Sequence, residues 1–126
     1  MKHLIIIAAG GMGRTLYDMS RESMGYGDEF VIKGFIDDNL HALDGFVNYP
    51  PILDKISTYT PQENDVFVCS IGGSARKKCM EELINKGAIF FNLIHRTARI
   101  GTNVQFGVGN IIGAYTSIGA DAKIGS

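Results

Sequence analysis

The apolar run His3 to Ala9 breaks into Ala8-Ala9-Gly10-Gly11-Met12-Gly13, a segment suited to chemistry by backbone rather than side chain. Glycines between a strand and a helix let a diphosphate approach the main chain. The free N–H groups and dipole of the helix N-terminus then stabilise its charge. The turn matches G-x-G-x-x-G with Ala8 in place of the first glycine. A second turn, Gly72-Gly73-Ser74, closes another apolar run, and Arg76 follows where its guanidinium could meet a phosphate. Asp37 stands 24 residues past Gly13, placed like the acid that accepts a hydrogen bond from a ribose hydroxyl or base N–H in dinucleotide folds. Asp38 could share that role, and an Asp-Asp-Asn sequence is equally a solvated turn.

The other reactive side chains are less pointed. His95 is the only histidine at a junction between differently patterned segments, and a neutral imidazole is the usual base for an attacking amine or hydroxyl. No Asp or Glu lies near it in sequence to orient it, so it reads as a structural linker. Lys77 and Lys78 read as a solvated face. Met12 belongs to the first turn and its contacts; with Met19, Met24 and Tyr17 it otherwise reads as packing. Cys69 and Cys79 have no metal spacing and read as small hydrophobes, and His3, His41 and His95 are dispersed, so no metal is assigned.

The elements that position these residues alternate. A strand over 3–9 precedes a helix over 14–24, with Leu16, Tyr17 and Met19 inward and Arg14, Asp18, Arg21 and Glu22 outward. Strands are expected over 30–36, 65–71 and 88–94, a short helix over 52–57, and a helix from an N-cap at Ser74 through Asn85. Alternating β and α segments predict a parallel sheet, and both glycine turns flank its topological switch point if strands two and three lie on opposite sides of strand one.

From Ile94 the pattern changes. Large apolar residues recur every six positions (Ile94, Ile100, Phe106, Ile112, Ile118, Ile124), and glycine follows each of the last five. A period of six is neither helix nor ordinary strand. It predicts a parallel β-helix of hexapeptide repeats, with one inward apolar residue per side and glycine relieving crowding near the corners. Three sides close a coil of about 18 residues, so fewer than two coils are present. Repeat folds need stacked neighbours and a cap, so a sequence stopping in mid-repeat is expected to be a fragment of a longer protein. The expected organisation is an α/β fold, a small Rossmann-like parallel sheet domain over 1–93 followed by an incomplete β-helix over 94–126.

At 126 residues and 45% hydrophobic composition, one compact domain with an appendage is the ceiling. A net charge of -1 gives no reason to expect nucleic acid or an anionic membrane as partner. No apolar run is long enough for membrane insertion and no signal peptide is visible, which predicts a cytoplasmic protein.

The ordered motifs resemble the bacterial sugar acetyltransferases that include sialic acid O-acetyltransferases and nucleotide-sugar N-acetyltransferases. The resemblance runs through residues 5–14, Phe35-Ile36-Asp37-Asp38, Ser70-Ile71-Gly72-Gly73 with Arg76-Lys77-Lys78, and Asn92-Leu93-Ile94-His95 with Ala98 and Ile100-Gly101. It implies a homotrimer with a left-handed β-helix, an N-terminal domain that binds a nucleotide-linked sugar, commonly a UDP-sugar, and acetyl-CoA along the seam between neighbouring β-helices. A β-helix histidine then serves as general base; by family pattern it lies beyond residue 126, and 96–126 contain no histidine. The chain departs from the family at Ala8, often glycine, and at Met12, often histidine or aromatic. Two other readings compete: a non-catalytic nucleotide-binding or assembly module, and an NAD-dependent oxidoreductase, which shares the turn and Asp37 but not the six-residue phase.

Overall fold

The computed structural model describes residues 1–125. Four parallel strands, β1 (Lys2–Ile7), β2 (Phe30–Ile36), β3 (Ile52–Asp54) and β4 (Asp65–Cys69), lie in the order β3-β2-β1-β4. Helix α1 (Gly11–Arg21) follows β1, and α2 (Gly73–Asn85) follows β4. Side-chain alternation along β1 sorts the core onto two faces. Leu4 and Ile6 pack with Leu16 of α1, while Ile5 and Ile7 pack with Cys79, Met80 and Leu83 of α2. The sheet is therefore covered on both sides, which is why β1 from Leu4 to Ile7 and β4 from Val66 to Cys69 read as unbroken apolar runs. Both cysteines are free and buried, Cys69 in β4 and Cys79 in α2.

Three local expectations change. Residues 52–54 form an edge strand rather than the start of a helix. Pro50 and Pro51 favour extended chain, and Phe35 N–H donates to Pro51 O at 2.9 Å. Residues 88–92 make one bridge, Phe67 to Phe90, instead of a full strand, because Asn92 turns away to donate to Gly107 O at 2.8 Å. Helix α1 begins inside the glycine turn, and α2 is capped by Gly72 rather than Ser74; neither cap uses a side chain. Met12 is 60% and Met24 46% exposed, so neither is a core residue.

Six two-residue strands follow: β5 (Leu93–Ile94), β6 (Arg99–Ile100), β7 (Gln105–Phe106), β8 (Ile111–Ile112), β9 (Ser117–Ile118) and β10 (Lys123–Ile124). They pair in parallel as Ile94 with Ile112, Ile100 with Ile118, and Phe106 with Ile124. Every pair is 18 residues apart, so each short strand stacks in parallel on the one a coil earlier. The six-residue apolar series fills the interior around Ala98, Ile112 and Ile118.

Left-handed backbone occurs at Asn103, Gly109, Tyr115 and Asp121, with φ of 59°, 74°, 60° and 65°, so the chain turns two residues after each repeat glycine. Gly101 relieves crowding near such a corner, because a Cβ there would stand 2.6 Å from Ala120 N in the next coil, whereas a Cβ on Gly119 or Gly125 meets nothing within 4 Å. Coil and sheet share Leu93, which is fully buried against the sheet and paired with Ile111.

Candidate functional site

Because β2 and β4 flank β1 on opposite sides, the carboxyl ends of β1 and β4 form the topological switch point, and both glycine turns open there. In the first turn, Ala8 has a φ of 73°, a left-handed conformation that glycine adopts without strain. Gly13 is buried, and a Cβ on it would stand 1.9 Å from Ala8 O, so this glycine brings helix and strand together. Gly10 and Gly11 are exposed and face open space, with nothing but the tip of Arg14 within 4 Å of a would-be Cβ on Gly11. The helical ladder begins at Arg14 N–H to Gly10 O, 2.9 Å, leaving the earlier N–H groups without helical partners. No acidic residue occupies the first turn of either helix. An anion is thus the complementary ligand for this end of the sheet.

Side chains hold the turn in shape. Asp37 accepts from Ala9 N–H at 2.9 Å through Oδ2 and from Asn39 N–H at 2.8 Å through Oδ1. It pins the end of β2 to the glycine turn, with further lone pairs on each oxygen. Asp38 Oδ1 accepts from Ser57 N–H at 3.1 Å and lies within 3.2 Å of Ser57 Oγ. Ser70 Oγ donates to Ile7 O at 2.7 Å and sits 3.2 Å from Ala8 O, stitching β4 to the same turn. Gly72 is exposed and unobstructed, while Gly73 has a φ of 64°.

Gly10, Gly11, Met12, Gly13, Asp37, Gly72 and Gly73 thus gather at or beside the strand ends, with Asp38 beyond Asp37. Arg76 is directed elsewhere: its Nη2 donates to Gly109 O at 2.8 Å, tying α2 to the first coil. His95 is 5% exposed and joins α1 to the coil. Its Nδ1 accepts from Thr97 N–H at 3.1 Å and sits 2.8 Å from Thr97 Oγ1. That leaves the proton on Nε2, which donates to Glu22 Oε1 at 2.9 Å. Both ring nitrogens are engaged inside the fold, as a linker requires, and the orienting acid absent from the local sequence is supplied by Glu22, the C-cap of α1.

The helical position of Arg14 predicts a solvated outer face. In the structure its Nη1 donates to Ala9 O at 3.2 Å, and its guanidinium carbon lies 3.7 Å from the centroid of the Phe46 ring. Nothing in the local sequence links residues 14 and 46; the loop after β2 brings them together.

A doubly covered parallel sheet with two helices and glycine turns at its switch point, followed by stacked pairs of short parallel strands, defines a mixed α/β fold. The model of the PglD N-terminal domain family matches residues 3–83, and the chain belongs to that family. It is 28% identical over 123 residues to an uncharacterized protein of Acanthamoeba polyphaga mimivirus, a match covering 98% of this chain and 24% of that protein. The chain therefore spans about a quarter of that relative's length.

Two solved structures share the fold. PerB from Caulobacter crescentus, in complex with CoA and GDP-perosamine, superposes with a TM-score of 0.78 at 22% identity, covering 100% of this chain and 58% of that one. The acetyltransferase domain of PglB from Neisseria gonorrhoeae superposes with a TM-score of 0.75 at 20% identity, covering 99% and 69%. The same PglB domain is also known in complex with acetyl coenzyme A. Among the described residues no helix is long and apolar enough to cross a membrane.

Proposed function

We propose that this chain is the nucleotide-sugar-binding part of an acetyl-CoA-dependent acetyltransferase that modifies an amino or hydroxyl group of a nucleotide-linked sugar. The observation that carries this reading is the pair of open glycine turns, with uncapped helix N-termini, on the two sides of the switch point. Family membership and the ligands named for PerB and PglB support it. On this reading residues 1–93 hold the nucleotide sugar, with the diphosphate against Gly10, Gly11 and Met12 and the nucleoside toward Asp37 and Asp38. Gly72 and Gly73 border the same opening. Residues 94–126 begin a left-handed β-helix, through which three copies assemble.

In the proposed reaction the sugar nucleophile attacks the thioester carbonyl of acetyl-CoA. A C–N or C–O bond forms, the C–S bond breaks, and the nucleophile's proton passes through a general base to the departing sulfur, so that CoA leaves as its thiol. That base is proposed to lie outside residues 1–126: 96–126 contain no histidine, and His95 has both nitrogens bonded within the fold.

Isothermal titration with UDP-N-acetylglucosamine, a GDP-sugar, NAD and acetyl-CoA tests the reading. Binding of a nucleotide sugar in preference to NAD, weakened by Asp37→Ala, is the expected result. Binding of NAD alone, or of no nucleotide, overturns it.

A further inference from the structure

Arg14 rises from the first turn of α1 beside the open Gly10-Gly11 segment, its Nη2 3.9 Å from where a Cβ on Gly11 would stand. Its guanidinium lies on the face of Phe46 at 3.7 Å, and one of its donors goes to Ala9 O. A guanidinium has five N–H donors in a planar fork. One contact to a carbonyl and one stacking face leave most of that fork available to a ligand. Phe46 is itself 48% exposed, on the loop between β2 and β3. An aromatic that covers one face of a guanidinium restricts it to presenting its edge, the geometry that reads two phosphate oxygens at once.

We propose that Arg14 is the phosphate-binding side chain of the first turn and that Phe46 is a positioning residue that holds it edge-on. The ligand group recognised is a diphosphate, met from one side by the N–H groups of Gly11 and Met12 and from the other by the Arg14 fork. This rests on the nucleotide-sugar reading and goes beyond it, because it assigns the charge partner to Arg14, whose guanidinium stands beside Gly11, and not to Arg76, whose guanidinium reaches away to Gly109. It also gives the loop of residues 38–49 a role: ligand binding and loop position are coupled through one stacked pair.

The test measures affinity of the 126-residue chain for UDP and GDP and, in parallel, for uridine and guanosine. Arg14→Gln is expected to weaken the diphosphates by on the order of tenfold to a hundredfold and to leave the nucleosides unchanged. Arg14→Lys keeps the charge without the fork and falls between. Phe46→Leu weakens the diphosphates less than Arg14→Gln, and Phe46→Tyr restores them. Lys78→Gln, an exposed charge on α2, controls for net charge and should stay within about twofold.

Diphosphate affinity unchanged in a folded Arg14→Gln, or a parallel loss for nucleosides and diphosphates, overturns the assignment while leaving the nucleotide-sugar reading intact. If Arg14→Gln does not fold, Arg14→Lys decides on the same diphosphate-to-nucleoside ratio. Failure of the wild-type chain to bind any nucleotide overturns both.

Discussion

The two ends of the parallel sheet treat polar groups in opposite ways. At the carboxyl ends of β1 and β4, exposed glycines leave helix N–H groups without side-chain caps. Toward the other end, polar groups satisfy one another. Asp65, the first residue of β4, accepts from Tyr59 Oη at 2.6 Å, Gln62 N–H at 2.9 Å and Lys33 Nζ at 3.0 Å. Lys33 also reaches Tyr59 Oη and Gln62 Oε1. It can do so because the register of β2 against β1 shifts beside it, with Ile32 opposite Leu4 and Gly34 opposite Ile5. The buried groups of one cluster satisfy one another and offer a ligand nothing, whereas the donors presented around glycine are open to water or to an anion. This difference, rather than the presence of charged residues, separates a strut from a candidate site.

The largest expected effect comes from closing the open end. Gly13→Ala drives a Cβ to 1.9 Å from the Ala8 carbonyl oxygen, a backbone atom that cannot swing aside. Destabilisation of about 3 kcal/mol or more, measured by urea unfolding, is expected, together with loss of nucleotide binding. Unchanged stability would mean that strand and helix do not meet at this glycine.

The closed end is expected to respond next. Asp65→Ala removes the acceptor shared by Tyr59, Gln62 and Lys33 and should cost about 2 kcal/mol while nucleotide affinity stays close to wild type. Its pH signature is specific. Burial works against ionisation of Asp65, but hydrogen bonds from Tyr59, the Gln62 backbone and Lys33 outweigh it, holding the carboxyl below its usual value. A depressed folded pKa gives stability that is complete above the unfolded value near 4 and lost as pH falls through the folded one. For Lys33 burial again opposes the charged form, and hydrogen bonds to Tyr59 and Asp65 prevail and raise its pKa. Its contribution is full below the ordinary lysine value and lost as pH climbs past it. Unfolding free energy of wild type should therefore decline below about pH 4 more steeply than that of Asp65→Asn; superimposable profiles would remove Asp65 from the account.

How much of this was legible depends on whether the signal was local. The strand over 30–36, the glycine turns and the six-residue phase rest on neighbours in sequence, and each matches an observed element. The edge strand β3 was missed because its apolar residues suit a short helix equally well; only the paired edge of β2 decides between them. The six-residue phase does not say which residues turn the corners: Asn103, Tyr115 and Asp121 adopt the left-handed conformation, two positions after the repeat glycines, and of these glycines Gly101 is the one a Cβ would drive against the next coil. Glu22 and His95 are 73 positions apart and Arg14 and Phe46 are 32 apart. No periodicity reports such pairs, which exist only once the sheet has placed their elements together.

The smallest expected effects divide the open end itself. Arg76→Met keeps the packing length of the side chain but removes the bond to Gly109 O, and should cost about 1 kcal/mol without altering nucleotide affinity. Gly10→Ala and Gly72→Ala should change stability by less than about 0.5 kcal/mol. Both residues have negative φ, -74° and -99°, and a Cβ on either meets nothing within 4 Å. A methyl group at Gly10 nevertheless lies where the diphosphate is proposed to approach the main chain, so Gly10→Ala should weaken nucleotide-sugar binding at unchanged melting temperature. Comparing the two variants by titration weighs the turns against each other. A loss confined to Gly10→Ala places the diphosphate on α1 alone, while equal losses place it between both helix ends. Full binding by both variants would show that neither glycine is there for a ligand, and the open end would then be a tight turn like any other.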